Sequence, residues 1–188
     1  MIMDKFLLYW ENNLFKPMRI GSDKQKQAFK AIEELGILNE LEPYHPTLCG
    51  TIPLGVDVEG SDLDMIMEVM NLDEFEHKLK ALYGNKQNFK MKRTTIRDKE
   101  VVKAKFVFND FEFELLGQNE PVHHQNAYLH MMIEFQLLQM FPDLQPKVLA
   151  LRKQGYKTEP AFCKILEITG DSYSGLIHYG RKMKWDQK

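Results

Sequence analysis

Hydrophobic and polar positions follow two different periods along the chain, and the change of period divides it into helical and extended segments. From Asp4 to Leu14, apolar residues recur at the three- and four-residue spacing of a helix. Asp23 is expected to cap a second helix, and Gly36 to end it. We therefore expect the chain to begin with two helices.

The middle of the chain changes to the alternation that is typical of β-strands. The segment PTLCGT predicts a short buried strand that ends in a glycine turn, and IPLGVDVEG predicts a loop. The segment SDLDMIMEV then alternates between apolar and polar positions, which predicts a strand with Leu63, Met65 and Met67 on its apolar face.

An amphipathic helix, NLDEFEHKLKALYG, follows this strand. Strand-like runs come next, around residues 89–95 and 101–108. Asn109-Asp110 predicts a tight turn into FEFELLG, the partner strand of a hairpin.

The last third of the chain is predicted to be helical. Thr158 is expected to cap one helix, which would end at Gly170, and a terminal helix should run from Asp171 to about Lys184. The two helices before them carry their apolar stripes at Tyr128, Met131, Phe135 and Leu138, and at Val148 and Leu151.

This order of elements predicts an α+β (mixed α/β) fold, with a mixed β-sheet, flanking helices and a helical C-terminal part. We place the boundary near residues 117–121. Residues 1–117 would form the α/β core with the N-terminal helices, and residues 118–188 a helical part packed on it; a single compact unit is the alternative.

Composition excludes several classes of protein. A formal net charge of −2 and a pI near 6.3 argue against a general nucleic-acid coat or a polybasic membrane anchor, but leave room for local basic patches. The two cysteines, Cys49 and Cys163, are too few for a disulfide scaffold or a zinc site. No secretory leader or membrane-spanning run is recognisable, so we expect a cytoplasmic protein.

An acidic pair carries the candidate chemistry. Asp62 and Asp64 lie two apart on a predicted strand, so their carboxylates leave one face about 7 Å apart and can converge on divalent cations. A pair on the solvated face of an edge strand is the plainer explanation. The preceding Gly50-Thr51 turn favours a site, because a glycine lets phosphate approach the backbone and the threonine can hydrogen-bond phosphate oxygens.

A third carboxylate is available in FEFELLG, where Glu112 and Glu114 share one face. If that strand lies beside SDLDMIM, one of the two completes a three-carboxylate cluster. Such clusters serve two-metal phosphoryl chemistry.

The glycine turn, the Asp-x-Asp pair and a later strand carboxylate resemble the signature of the nucleotidyltransferase superfamily (DNA polymerase beta-like fold), over roughly residues 45–117. The words GTIPLGVDVEGSDLD, FELLGQNEPVHHQNAYLH and GYKTEPAFCKILEITGDSY resemble the DUF4269 family within it. That narrower resemblance implies no established reaction.

The superfamily resemblance implies roles for individual residues. Asp62 and Asp64 would hold Mg²⁺ or Mn²⁺. Gly50 and Thr51 would hold the β and γ phosphates. Glu114 would be the third carboxylate, because it directly precedes the LLG of the family-like word, and Glu112 is the alternative.

Further candidates flank this cluster. Ser61, Arg93 and Lys157 are candidate nucleotide-binding residues. Arg93 and Arg97 are the better phosphate ligands of a basic run over 86–105, for which solvated strand faces are the alternative. Lys157 precedes a helix that could face an anion, although ordinary capping also explains it.

His123 and His124 are candidates for a general base or a metal ligand, but a surface turn with N-capping polar groups is the plainer explanation. His130 and Glu134 lie one helical turn apart and are assigned structural roles, since no second histidine completes a zinc motif.

The favoured function is a metal-dependent nucleotidyltransferase that moves NMP from an NTP to an unknown acceptor, which could be a small molecule, a protein or RNA. The alternative is a catalytically inactive module of the same fold that binds a nucleotide or a partner. A glycosyltransferase would leave the glycine turn unexplained. A phosphatase would need a Ser or Thr near Asp64, where Met65 and Ile66 stand instead.

Overall fold

The computed structural model describes residues 15–183. The helix expected from Asp4 to Leu14 lies outside these residues, and residues 15–20 are helical. The helices are α1 (Asp23–Leu35), α2 (Ile37–Glu40), α3 (Thr51–Leu54), α4 (Leu72–Tyr83), α5 (Asn126–Met140), α6 (Leu144–Lys153), α7 (Thr158–Ile165) and α8 (Ser172–Lys182). The strands are β1 (Thr47–Cys49), β2 (Leu63–Glu68), β3 (Gln87–Ile96), β4 (Lys99–Phe108) and β5 (Phe111–Gln118).

The strands form one mixed sheet, in the order β1-β2-β5-β4-β3. Strands β2 and β5 are parallel, and the other neighbours are antiparallel. Asn109 and Asp110 both have positive φ, 48° and 64°, as the two-residue turn of a tight hairpin requires. The predicted fold class and the β4–β5 hairpin are therefore confirmed.

Strand β2 is buried on both faces. Leu63, Met65 and Met67 are fully buried in a core shared with α1 and α4, as their alternation predicts. On the opposite face, Ile66 packs with Cys49 in a second core formed mainly by α5 to α8. Polar groups at this central strand are consequently held between two packed layers.

The boundary proposed near residues 117–121 stays a prediction.

Helix α5 differs from the single-stripe expectation. Tyr128 and Met131 are buried, but so are Ile133 and Leu137 on other sides, whereas Phe135 is only half-buried. The reason is that α5 contacts β1 and α3 as well as α6 and α8, so nearly all its sides are covered.

Two predicted helix starts are wrong by one residue. Ser22, not Asp23, caps α1: its Oγ accepts a hydrogen bond from the Gln25 amide at 3.2 Å, and Gln25 Oε1 accepts one from the Ser22 amide at 3.0 Å. Lys157 is the N-cap of α7, with Thr158 as its first helical residue.

Two other expectations need correction. Helix α7 ends at Ile165 rather than Gly170, because Glu167 adopts a left-handed φ of 57°. The loop expected after the glycine turn contains the four-residue helix α3, which Gly55 ends at a φ of 67°. The terminal helix is confirmed, with the Asp171 side chain accepting from the Ser174 amide at 2.8 Å.

Within residues 15–183, no helix combines the length and the apolar character that crossing a membrane requires.

Candidate active site

Three carboxylates meet on one face of the sheet. The parallel register of β2 and β5 pairs Asp64 with Glu114, and Asp62 lies two residues before Asp64. One oxygen from each carboxylate lies within 4.8 Å of the others. We call these residues the acidic triad. Strands β2 and β5 are therefore neighbours, as the three-carboxylate cluster requires. Three such oxygens suit a hard divalent cation.

The glycine turn lies directly against this triad. Cys49, the last residue of β1, is the register partner of Asp64, and Gly50 follows it with a φ of 84°. A β-carbon on Gly50 would lie 2.4 Å from Asp64 Oδ2. A side chain at position 50 would therefore collide with the carboxylate. Thr51 begins α3 at the same end of the sheet.

Two lysines from β4 form ion pairs with carboxylates of the triad. Lys103 Nζ lies 2.6 Å from Glu114 Oε1, and Lys105 Nζ lies 2.9 Å from Glu114 Oε2. Lys105 Nζ is also 2.8 Å from Glu112 Oε1 and 3.8 Å from Asp62 Oδ2. An ammonium group thus stands among the carboxylates that could hold a metal ion.

The carboxylates of the triad differ in protonation. Burial raises the pKa of Asp64 to about 7, and the charges of Asp62 and Glu114 add to the effect. Burial also acts to raise the pKa of Glu114, but hydrogen bonds from Lys103 and Lys105 outweigh it and lower that pKa. Near neutral pH, Glu114 is therefore ionised while Asp64 is partly protonated.

A cleft of about 770 Å³ separates the triad from the C-terminal helices, and this volume is that of a typical small-molecule site. Gly50, Thr51 and Ser61 line the same wall as the triad. Ser61 Oγ accepts a hydrogen bond from the Val58 amide at 2.9 Å, which closes the loop before β2. The opposite wall includes His130, Glu134, Arg152, Tyr156, Lys157 and Glu159.

The helical wall contains buried polar groups whose place in the cleft the sequence did not indicate. His130 Nδ1 lies 3.4 Å from Glu159 Oε1, and its Nε2 contacts the Tyr173 carbonyl oxygen at 2.9 Å. Glu134 is 4% exposed, and burial raises its pKa well above the usual range. The sequence predicts structural roles for both residues, and their spacing does not indicate that they border the cleft.

Of the predicted nucleotide-binding residues, Gly50, Thr51, Ser61 and Lys157 line the cleft, but Arg93 lies elsewhere. Its register partner on β4 is Val102, which belongs to the core on the other face of the sheet. On that face Arg93 Nε lies 2.8 Å from Glu76 Oε1, and the guanidinium also pairs with Asp73. The structure thus places Arg93 outside the cleft, contrary to expectation, because the strand alternation points it at α4.

Lys103 and Lys105 are site residues that the basic run contained but did not single out. The two-residue turn at Asn109-Asp110 sets the pairing of β4 with β5, and this pairing places Lys105 opposite Glu114. Counting outward from the turn would have found the contact in the sequence.

The described fold is similar to that of solved nucleotidyltransferases. The poly(U) polymerase Cid1 with bound MgGTP matches with a TM-score of 0.52 at 15% identity, over 70% of this chain and 42% of that one. A cytoplasmic RNA terminal U-transferase matches with a TM-score of 0.50 at 15% identity, over 88% and 51%. Cid1 with its short product ApU matches with a TM-score of 0.52 at 19% identity, over 82% and 48%.

These likenesses define the chain as a protein of the nucleotidyltransferase fold, and it spans about half the length of the structures it matches. It belongs to the DUF4269 family, described as a domain of unknown function, which matches residues 30–179. No curated protein matches the chain in sequence.

Proposed function

We propose that the protein is a divalent-metal-dependent nucleotidyltransferase, which transfers NMP from an NTP to an acceptor and releases pyrophosphate. The observation that carries this proposal is the acidic triad, whose oxygens lie within 4.8 Å of one another directly beside the Gly50 turn. A fold shared with nucleotidyltransferases and a cleft of about 770 Å³ support it.

The donor set fits Mg²⁺ or Mn²⁺, since all three side chains offer carboxylate oxygens and none offers nitrogen or sulfur. Asp62, Asp64 and Glu114 would hold the ion. When bound, it would supply neutralisation of phosphate charge and activation of the attacking oxygen.

The remaining residues bind and orient the nucleotide. Gly50 leaves room for the phosphate chain at the backbone, and the Thr51 hydroxyl and amide bind its oxygens. Ser61 holds the loop that brings Asp62 to the cleft. Lys157, on the opposite wall, adds a positive charge toward the phosphates.

Titration calorimetry with ATP, GTP, CTP and UTP, with and without Mg²⁺, tests the proposal. We expect Mg²⁺-dependent binding of at least one nucleotide, and its loss in Asp64→Ala. Glu114→Gln should weaken nucleotide binding far more than Glu112→Gln does. The two variants change the same residue type at positions two apart on the same face of β5. Equal effects of the two glutamine variants, or full NTP-dependent transfer by a variant lacking all three triad carboxylates, would contradict the assignment.

A second candidate function is a non-catalytic nucleotide- or partner-binding module. The contacts of Lys105 with Asp62 and Glu114 favour it, because an ammonium group neutralises these carboxylates without a metal. This candidate predicts nucleotide binding without pyrophosphate release in the presence of RNA and small-molecule acceptors. Detection of α-phosphate label in any product would eliminate it.

A further inference from the structure

Four lysines form a square on the open face of the sheet beside the acidic triad. Lys90 and Lys92 on β3 are the register partners of Lys105 and Lys103 on β4. Lys105 is in turn the partner of Glu114 on β5. All four side chains therefore leave the face on which the triad lies. We call this group the lysine ladder, and its members are Lys90, Lys92, Lys103 and Lys105.

Cross-strand pairs of like charge destabilise a sheet, so the ladder requires an explanation. Lysines on an edge strand commonly prevent aggregation, which would account for Lys90 and Lys92 on β3. It does not account for the second pair, because β4 is an interior strand. Lys103 and Lys105 are paired with Glu114, whereas Lys90 and Lys92 are exposed and form no ion pair with any residue between 15 and 183.

The strand order places the ladder on a definite side of the triad. The glycine turn follows β1 at one edge, the triad lies on β2 and β5, and the ladder lies on β4 and β3. Neighbouring strands are about 4.8 Å apart, so the ladder begins one strand beyond Glu114. In phosphoryl transfer, the attacking and leaving oxygens are roughly in line through the phosphorus. With pyrophosphate at the glycine turn, the acceptor approaches from the ladder side.

We propose that the lysine ladder binds the phosphate backbone of a single-stranded polynucleotide, whose terminal hydroxyl is the acceptor. This inference rests on the proposed transferase function. The hydroxyl oxygen forms the new bond to the α-phosphorus of the NTP, and the bond from that phosphorus to the bridging oxygen breaks. Pyrophosphate leaves with the bridging oxygen, and the hydroxyl proton passes to a triad carboxylate and then to solvent.

The arrangement of the charges favours a chain of phosphates over a single one. Lysines two apart on a strand are separated by about 6.8 Å, and the pairs repeat across two strands. One phosphate cannot neutralise all four, but successive phosphates of one strand can. With its carboxylate engaged by a divalent cation, Glu114 would release Lys103 and Lys105 to the same backbone. The face offers no aromatic residue among positions 88, 90, 92, 94, 103, 105 and 107, so binding should rest on phosphate contacts, which carry no base-sequence information.

Fluorescence anisotropy with a labelled single-stranded RNA, in the absence of metal and nucleotide, tests this inference. We expect Lys90→Gln/Lys92→Gln to weaken binding about tenfold and to reduce the slope of log K against log salt by about 1.4, since two phosphate contacts are lost. The matched control is Lys78→Gln/Lys80→Gln on α4, which packs on the other face and loses the same charge. The control should bind as the wild type does.

Three outcomes would overturn the inference. The first is no RNA binding at low salt, and the second is an equal loss of RNA affinity in the ladder and control variants. The third is that polyglutamate displaces the labelled RNA as effectively as unlabelled RNA does. The last result would assign the surface to acidic proteins. Calorimetry with Mg²⁺ and NTP on the same ladder variant separates the two proposals. If RNA binding depends on the ladder but the protein binds no nucleotide, the transferase proposal is refuted and the RNA-binding surface stands. If the protein binds nucleotide but RNA binding does not depend on the ladder, only the transferase proposal stands.

Discussion

Gly50 and Asp64 are in direct contact across the β1–β2 pair. The position of a β-carbon on Gly50 is 2.4 Å from Asp64 Oδ2, and the backbone at Gly50 has φ 84° and ψ −164°, a region that is essentially restricted to glycine. The turn that would hold phosphate and the carboxylate that would hold metal are therefore parts of one packed unit.

Gly50→Ala should damage both stability and the site. The strained backbone should lower the free energy of unfolding by roughly 1–3 kcal/mol, and the displaced Asp64 carboxylate should abolish Mg²⁺-dependent nucleotide binding. Thermal unfolding and calorimetry measure the two effects. Gly36→Ala is the control: Gly36 also has positive φ, 68°, but its β-carbon would meet nothing within 4 Å. This variant should lose stability and keep nucleotide affinity; a loss of affinity there would show that the effect at position 50 is not local.

The protonation of Asp64 should make stability depend on pH. Burial raises its pKa to about 7, so the folded protein binds a proton more tightly than the unfolded chain between about pH 4 and 7. The contribution of Asp64 to the stability of the metal-free protein therefore falls as pH rises through this window. Asp64→Asn, which removes the charge, should be stabilised relative to the wild type at pH 8, by at most about 4 kcal/mol, and the difference should shrink toward pH 4. Urea unfolding at several pH values measures it, and a difference that is independent of pH would contradict the assignment.

Mg²⁺ affinity should rise with pH for the same reason, because the ion must displace the proton from Asp64. We expect about tenfold tighter binding at pH 8 than at pH 6 in the presence of nucleotide. Proton release on binding, measured by calorimetry in buffers of different ionisation enthalpy, should be largest below pH 7. Identical affinities at the two pH values would rule out Asp64 as the proton-linked ligand.

Lys105→Met should strengthen metal binding, because it removes an ammonium group that competes with the metal ion for the triad. The variant removes a positive charge that lies 2.9 Å from Glu114 Oε2 and 3.8 Å from Asp62 Oδ2. The metal-free protein should melt at a lower temperature, because the carboxylates lose a counter-ion, while Mg²⁺ binding should tighten several-fold. Lys30→Met on α1 is the control, since Lys30 forms an exposed pair with Glu34 within one helix. Weaker Mg²⁺ binding in Lys105→Met would mean that this lysine supports the metal site instead of competing with the ion.

Arg93→Gln should leave nucleotide affinity within about twofold of the wild type, because Arg93 faces α4 on the other side of the sheet. Its loss should slightly lower the melting temperature through the contacts with Asp73 and Glu76, as is usual for exposed ion pairs. Lys157→Gln in the cleft wall provides the contrast and should weaken nucleotide binding. A large loss of affinity in Arg93→Gln would show that the site extends beyond the cleft.

The elements of the fold, and most of the candidate site, follow from local patterns in the sequence. Alternation in SDLDMIMEV predicts both the buried face of β2 and the common face of Asp62 and Asp64, because successive side chains of a strand point to opposite sides. Asn109-Asp110 predicts the hairpin, since a two-residue turn needs residues that accept positive φ. The choice of Glu114 over Glu112, made on its place in a family-like word, coincides with the residue that completes the acidic triad.

Tertiary structure decided what depends on which elements become neighbours. The parallel pairing of β2 with β5 joins segments about 50 residues apart in the chain, and no local pattern specifies it. It is this pairing that brings Glu114 beside Asp64. Burial of α5 between the sheet and the other helices placed Glu134 in the cleft wall, although its sequence spacing is that of an ordinary helix. Tertiary structure also placed Arg93 outside the cleft, because a run of basic residues in the sequence does not show on which face of the sheet each side chain lies. Local sequence sets the period and the turns, whereas contacts distant in sequence form only when a whole set of faces can be buried together.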